Sequence, residues 1–216
     1  MYNFFILLLL VMKIVLAHRG ITYNYKDNTL KSLFEIFKYK SDKYQLGVEL
    51  DINLSKDHKV FIYHDREING KELDKLNYEE IINLDDDIPL LEDILIKFNN
   101  TEYFLNIEIK SYHEDVVCLC YYLSELMIKY PNIKYLISSF DLKVRRFLRF
   151  AGIICYKISD IDEKPGSIIH YSQENEHAIG VYTIFDSEFE DKYLDKALKY
   201  DIVITDDIQK LLNYVN

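Results

Sequence analysis

The sequence predicts an α/β protein, a closed (β/α)8 barrel in one domain, and three observations predict it. Short β-rich runs alternate with helical patterns along the chain, which implies a parallel sheet. Eight such strands fit within about 200 residues, a count that closes a barrel, with a doubly wound open sheet as the structural alternative. Two of the strands carry polar or charged residues at alternate positions near their C-terminal ends, where a barrel keeps its chemistry.

Taken in order, the strands are expected at residues 13–18, 46–53, 59–64, 103–110, 135–140, 152–158, 178–184 and 201–205. The first helix, 29–40, places Leu30, Leu33, Phe34 and Phe37 on one face at i, i+3, i+4 and i+7. Further helices are expected at 90–98, 114–130, 142–150, 188–199 and 208–214, with a short helical turn near 78–84. Only the sixth crossover, 160–177, shows no helical period.

Nearly half of the 216 residues are apolar and 29% are charged, the profile of one folded domain. The net charge of −10 means that the surface as a whole repels nucleic acid and anionic membranes. The most basic run, Lys143-Val144-Arg145-Arg146, reads as one exposed helical edge. Cys118, Cys120 and Cys155 lack metal-site spacing and are expected as reduced thiols, which fits a cytoplasmic location.

Residues Phe4 to Val11 are continuously apolar, and Val15-Leu16-Ala17 resembles a signal-peptidase site. A signal or anchor in residues 1–17 would make the protein secreted or membrane-associated, with membrane contact through that segment. Against it, no positive charge precedes the run, the run is too short to span a bilayer, and cleavage would remove the first strand. Met12 is a natural start, so the reading is an apolar extension, 1–11, ahead of a barrel over 12–216.

The second strand reads Val48-Glu49-Leu50-Asp51-Ile52-Asn53, which puts Glu49 and Asp51 on one face. The fourth, Leu105-Asn106-Ile107-Glu108-Ile109-Lys110, aligns Asn106, Glu108 and Lys110. Carboxylates aimed into a barrel are costly unless paired or bound to a cation. Glu49, Asp51 and Glu108 offer hard oxygens suited to Mg²⁺ or Ca²⁺, whereas a structural network of Glu108 with Lys110 or Arg19 is the plainer alternative. The first strand ends in His18-Arg19-Gly20 and the third in His64-Asp65. Two imidazoles at one mouth can serve as acid and base at phosphorus, and Arg19 can bind phosphate oxygens bidentately.

The ordered set His18-Arg19-Gly20, Asp27-Asn28-Thr29-Leu30, Glu49-Leu50-Asp51, His64-Asp65, Asn106-Ile107-Glu108-Ile109-Lys110, Ser138-Ser139-Phe140 and Ile204-Thr205-Asp206 resembles the glycerophosphodiester phosphodiesterase family. The resemblance implies a TIM barrel, a divalent cation, and hydrolysis of glycerophosphodiesters to glycerol 3-phosphate and an alcohol. It implies that Glu49, Asp51 and Glu108 hold the metal, that His18 and His64 are acid and base, and that Arg19 and Lys110 contact phosphate. In the family's route the substrate's glycerol hydroxyl attacks phosphorus and water opens the cyclic product. Ser138, Phe140 and Tyr182 are the pocket candidates.

The chain departs from the family pattern at Asp27, where Glu is usual, and at Tyr182-Thr183-Ile184-Phe185, where Trp-Thr-Val-Asn is usual. Tyr182 keeps an aromatic wall while Phe185 loses an amide. Two other readings compete: a phospholipase D-like enzyme on lysophospholipids, and a non-catalytic barrel that binds phosphodiesters. Asp85-Asp86-Asp87 reads as a solvated turn, and His58, His113, His170 and His177 as residues away from the chemistry. Nothing in the sequence assigns an oligomeric state.

Overall fold

The computed structural model describes residues 13–112, 116–159, 166–170, 177–183 and 191–215. Its strands are β1 (Ile14–Ala17), β2 (Gln45–Leu54), β3 (Val60–Ile62), β4 (Glu67–Ile68), β5 (Lys71–Glu72), β6 (Phe104–Ile109), β7 (Lys134–Ser139), β8 (Cys155–Ser159), β9 (Ile168–His170), β10 (Gly180–Thr183) and β11 (Ile202–Thr205). The helices are α1 (Leu30–Phe34), α2 (Tyr78–Ile82), α3 (Leu91–Phe98), α4 (Val116–Lys129), α5 (Leu142–Phe150), α6 (Asp191–Ala197) and α7 (Ile208–Val215). Residues 1–12, the proposed extension, lie outside the described residues.

Eight parallel strands form a closed ring, β1-β2-β6-β7-β8-β9-β10-β11, sealed by pairing of β11 and β2 with β1. The expected barrel is therefore present, with one exchange of strand. Residues 59–64 do not supply a barrel strand. β3 pairs antiparallel with the upper end of β2, Ile52 opposite Ile62, and forms a hairpin at the rim. The reason is chain length: a parallel crossover needs a dozen or more residues, and only a five-residue link separates the two strands. The ring's eighth member is β9, inside the crossover that lacks a helical period, paired with β8 and β10.

Alternation within the strands builds two cores. Val15, Val48, Leu50, Leu105, Ile107 and Val203 point outward and pack beneath the helices. Leu16, Phe104, Leu136, Ile168, Ile202 and Ile204 point inward and fill the barrel below its mouth. Gly47 is required where this plug meets β2, because a Cβ there would stand 2.1 Å from the Phe104 carbonyl oxygen. α3 buries Leu91, Ile94, Leu95 and Phe98 on one face, each contributing roughly 1.5–3 kcal/mol.

The expected helix at 29–40 shortens to α1 followed by a 3-10 turn, Glu35–Lys38. α1 is capped by Thr29, whose hydroxyl accepts from Ser32 N while Ser32 Oγ meets the Thr29 backbone. Cys118, Cys120 and Cys155 are not joined in a disulfide. Among the described residues no helix is long and apolar enough to cross a membrane.

Candidate active site

The inward positions of β2 and β6 change from apolar to charged as the strands climb. Glu49 lies beside Asn106 in register, and Asp51 beside Glu108. All four side chains are buried. One carboxylate oxygen from each of Glu49, Asp51 and Glu108 falls within 4.8 Å of the others. Lys110 leans over this cluster, with Nζ 2.9 Å from Asp51 Oδ1 and 2.5 Å from Glu108 Oε1.

That pairing neutralises part of the cluster and leaves Glu49 strained. Burial first, then the charge of Asp51, pushes the Glu49 carboxyl up to about 8. Burial and Asp51 also raise Glu108. Burial acts upward on Asp51 too, but Lys110 and Arg19 outweigh it and hold Asp51 below the usual carboxylate range. Glu49 Oε1 is buried with no hydrogen-bond partner among the described residues. Three converging carboxylates, one with an orphaned oxygen, fit a hard divalent cation.

The loop after β1 brings a guanidinium and a backbone donor to the same place. Arg19 and Gly20 both take positive φ, 55° and 86°. At Gly20 a Cβ would meet the Ser32 carbonyl carbon at 2.6 Å, so only glycine passes so close to α1. The turn points the Arg19 backbone N–H at Glu49 Oε2, 3.0 Å away. The Arg19 side chain lies along the acidic wall, with Nη1 3.4 Å from Asp27 and Nε 3.3 Å from Asp51. That Nε remains buried outside hydrogen-bond geometry, a donor still available to a phosphate oxygen.

Asn28, also at positive φ, ties this loop to β2: its Nδ2 donates to Asp51 Oδ2 at 2.8 Å, and its Oδ1 accepts from Asp51 N at 3.3 Å. Asparagine tolerates the left-handed conformation better than most residues. The motif Asp27-Asn28-Thr29 thus does three jobs: Asp27 steadies Arg19, Asn28 aims Asp51 and Thr29 starts α1.

His18 and His64 both face the mouth and are held differently. His18 Nδ1 sits 2.5 Å from Asp206 Oδ1, and its Nε2 is 3.9 Å from Glu49 Oε2. Burial works against its charge, yet the hydrogen bond to Asp206 and the charge of Glu49 prevail and raise its pKa. His64 Nδ1 lies 2.6 Å from Asp65 Oδ1 on the hairpin side. Burial, reinforced by the charge of Lys110, lowers its pKa although Asp51 and Asp65 pull the other way.

Asp206 is the residue that sequence reasoning passed over. It stood in a quoted motif without a role. The signal was available in the ring: β1 and β11 pair Ala17 with Thr205, so the next residues, His18 and Asp206, must be neighbours. Ser138 is fully buried beside Glu108 and donates to Asn106 Oδ1 at 3.2 Å, a wall residue rather than a nucleophile. Phe140 stands at the rim, 44% exposed. Tyr182 lies inward on β10, and His170 on β9 packs edge-on against it with ring centroids 5.1 Å apart. Ile184 and Phe185 lie outside the described residues, as does His113.

Fold and site define a class of protein, the closed parallel α/β barrels whose working groups stand at the C-terminal rim. The glycerophosphoryl diester phosphodiesterase family matches residues 18–153, and the chain belongs to that family. A glycerophosphodiester phosphodiesterase from Caldanaerobacter subterraneus subsp. tengcongensis is 32% identical over 114 residues, 45% of each chain. One from Bacillus altitudinis matches to the same extent. The chain therefore spans about half the length of the curated relatives it matches.

Solved structures extend the likeness in fold to nearly the whole chain. Glycerophosphodiester phosphodiesterase from Thermotoga maritima superposes with a TM-score of 0.71 at 24% identity, covering 93% of this chain and 97% of that one. An Oleispira antarctica phosphodiesterase, in complex with the product sn-glycerol-3-phosphate, gives 0.79 at 20% identity, covering 99% and 98%.

Proposed function

We propose that this protein hydrolyses glycerophosphodiesters to glycerol 3-phosphate and an alcohol, with a divalent cation, Mg²⁺ or Ca²⁺, held by Glu49, Asp51 and Glu108. The observation that carries the reading is the convergence of those carboxylates with two oppositely tuned histidines, Arg19 and Lys110 at one barrel mouth. Family membership and the relatives' activity support it. The cation would offset negative charge on the phosphate oxygens.

The chain's own residues divide the remaining work. Arg19 and Lys110 supply the positive field that brings a phosphodiester into an otherwise acidic protein. His64, favoured neutral, accepts the proton of the attacking hydroxyl, which the family route assigns to the substrate's glycerol. His18, favoured as imidazolium, gives a proton to the departing alcohol. Water then opens the cyclic phosphate to glycerol 3-phosphate, with the two histidines in exchanged roles. Asp206 fixes the His18 ring so that Nε2 is the nitrogen facing the reaction. Asp65 does the same for His64.

The test is a screen of Mg²⁺, Ca²⁺ and Mn²⁺ against glycerophosphocholine, glycerophosphoethanolamine and lysophosphatidylcholine, with products followed by phosphorus NMR. Metal-dependent release of glycerol 3-phosphate is the expected result. Turnover of the lysolipid alone, with a cyclic or lysophosphatidic product, would move the assignment to the phospholipase D-like reading. Binding without turnover in every metal would overturn it.

A further inference from the structure

We propose that the outer face of α5 is a docking surface for an anionic lipid bilayer. From Leu142 to Lys157 the chain carries Lys143, Arg145, Arg146, Arg149 and Lys157 and no Asp or Glu, within a protein of net charge −10. Of α5, only Val144 and Leu148 are buried against the barrel. At about 100° per residue, Leu142, Arg146, Arg149 and Phe150 share the opposite side, with Lys143 on its flank. Phe150 is 94% exposed, Leu142 50%, and Ile154 just beyond the helix 73%.

Singly scattered apolar residues on a surface need no explanation, but here they alternate with cations on one helical face. Arg145 has a local task, since its Nη1 donates to the carbonyls of Ser139 and Phe140 and pins α5 to the rim. Arg146 and Arg149 have no acidic partner among the described residues. Beside them runs a groove of about 760 Å³, lined by Arg146, Arg149, Ile154, Lys157 and Ser167.

Charge complementarity and the interleaved apolar groups select the occupant. A nucleic acid would use the cations and leave Leu142, Phe150 and Ile154 in water. An anionic bilayer satisfies both, taking the guanidinium groups among its head groups and the apolar side chains at the head-group boundary. The distant acidic surface of the protein is screened beyond about 10 Å at ordinary salt, so the local patch governs the encounter. α5 starts at the C-terminal end of β7, so its first turn, with Leu142, borders the barrel mouth, while Phe150 and Ile154 lie at the far end of the helix ahead of β8. Delivery of a lipid-derived diester to the mouth rests on the proposed function; the docking does not.

Co-sedimentation of the full chain with vesicles tests it, using phosphatidylcholine alone and phosphatidylcholine mixed with phosphatidylserine. Binding to the mixed vesicles, released by high salt, is expected. The Arg146→Gln/Arg149→Gln variant should bind about 30-fold more weakly, from about 1 kcal/mol per cation, and Phe150→Ala should weaken binding without changing its salt dependence. These side chains are exposed, so an unchanged thermal midpoint confirms that the fold is intact. Equal uptake by neutral vesicles, or undiminished binding by the double variant, overturns the proposal. So does self-association that the double variant abolishes in the absence of vesicle binding, which would make the face an interface between copies.

Discussion

The two sides of the mouth present the same residue type on unlike supports. On one side His18 ends a barrel strand locked between two parallel neighbours, and its side chain is 18% exposed. On the other, His64 follows an antiparallel hairpin strand that lies outside the ring, and its side chain is 33% exposed. Around the first ring Asp206 and Glu49 outweigh burial, whereas around the second burial and the charge of Lys110 outweigh Asp51 and Asp65. One imidazole is tuned toward its charged form and the other toward its neutral form. Under the proposed function, environment rather than residue type assigns the acid and the base.

Alanine at each histidine breaks or sharpens that contrast most strongly. Each substitution should lower kcat by about 10²–10⁴ on an alkyl diester. An aryl diester whose leaving group departs without a proton should restore most of the loss in His18→Ala and little of it in His64→Ala. Comparable recovery in both variants, or recovery in His64→Ala alone, would break the assignment.

The acidic cluster between the two sides supplies the next effect. Glu49 has a folded-state pKa raised to about 8, well above its ordinary value. Its contribution to stability is therefore full at low pH and is lost as pH rises through 8. Glu49→Gln cannot ionise, so in chelator at pH above 8 the variant should melt higher than the parent, by roughly 5–10 °C. A divalent cation should reverse the order by stabilising only the parent. Cation uptake by the parent below pH 8 should also release a proton, measurable by calorimetry in buffers of different ionisation enthalpy. A parent and variant that melt together in chelator would show that Glu49 is not strained.

How far this was legible in the sequence depends on what positions each residue. Glu49, Asp51, Glu108 and Lys110 sit within single strands, where a period of two fixes the face they share. His64 was placed at the mouth, but on the wrong kind of strand, because hydrophobic pattern cannot tell a barrel strand from a hairpin return. The short link between β2 and β3 could have told them apart. β9 was missed because its inward His170 and short apolar run sit in a polar stretch without a helix to announce a crossover. Asp206 needed ring closure, a contact spanning 188 residues that no local pattern encodes.

Asp206→Asn gives the smallest and most specific effect. The hydrogen bond to Asp206 and its charge both raise the His18 pKa, whereas burial lowers it. An amide keeps the shape, removes the charge and leaves Glu49 to oppose burial without Asp206, so the His18 pKa must fall. The rate should follow neutral His64 and charged His18 together, with an acid limb below the ordinary histidine value of 6.5 and an alkaline limb above it. In Asp206→Asn the alkaline limb should move toward acid while the acid limb stays in place. At neutral pH the loss should be about tenfold, in line with removal of a group that orients a catalytic side chain. If the acid limb moves instead, His18 is the base, and the contrast between the two sides runs in the opposite direction.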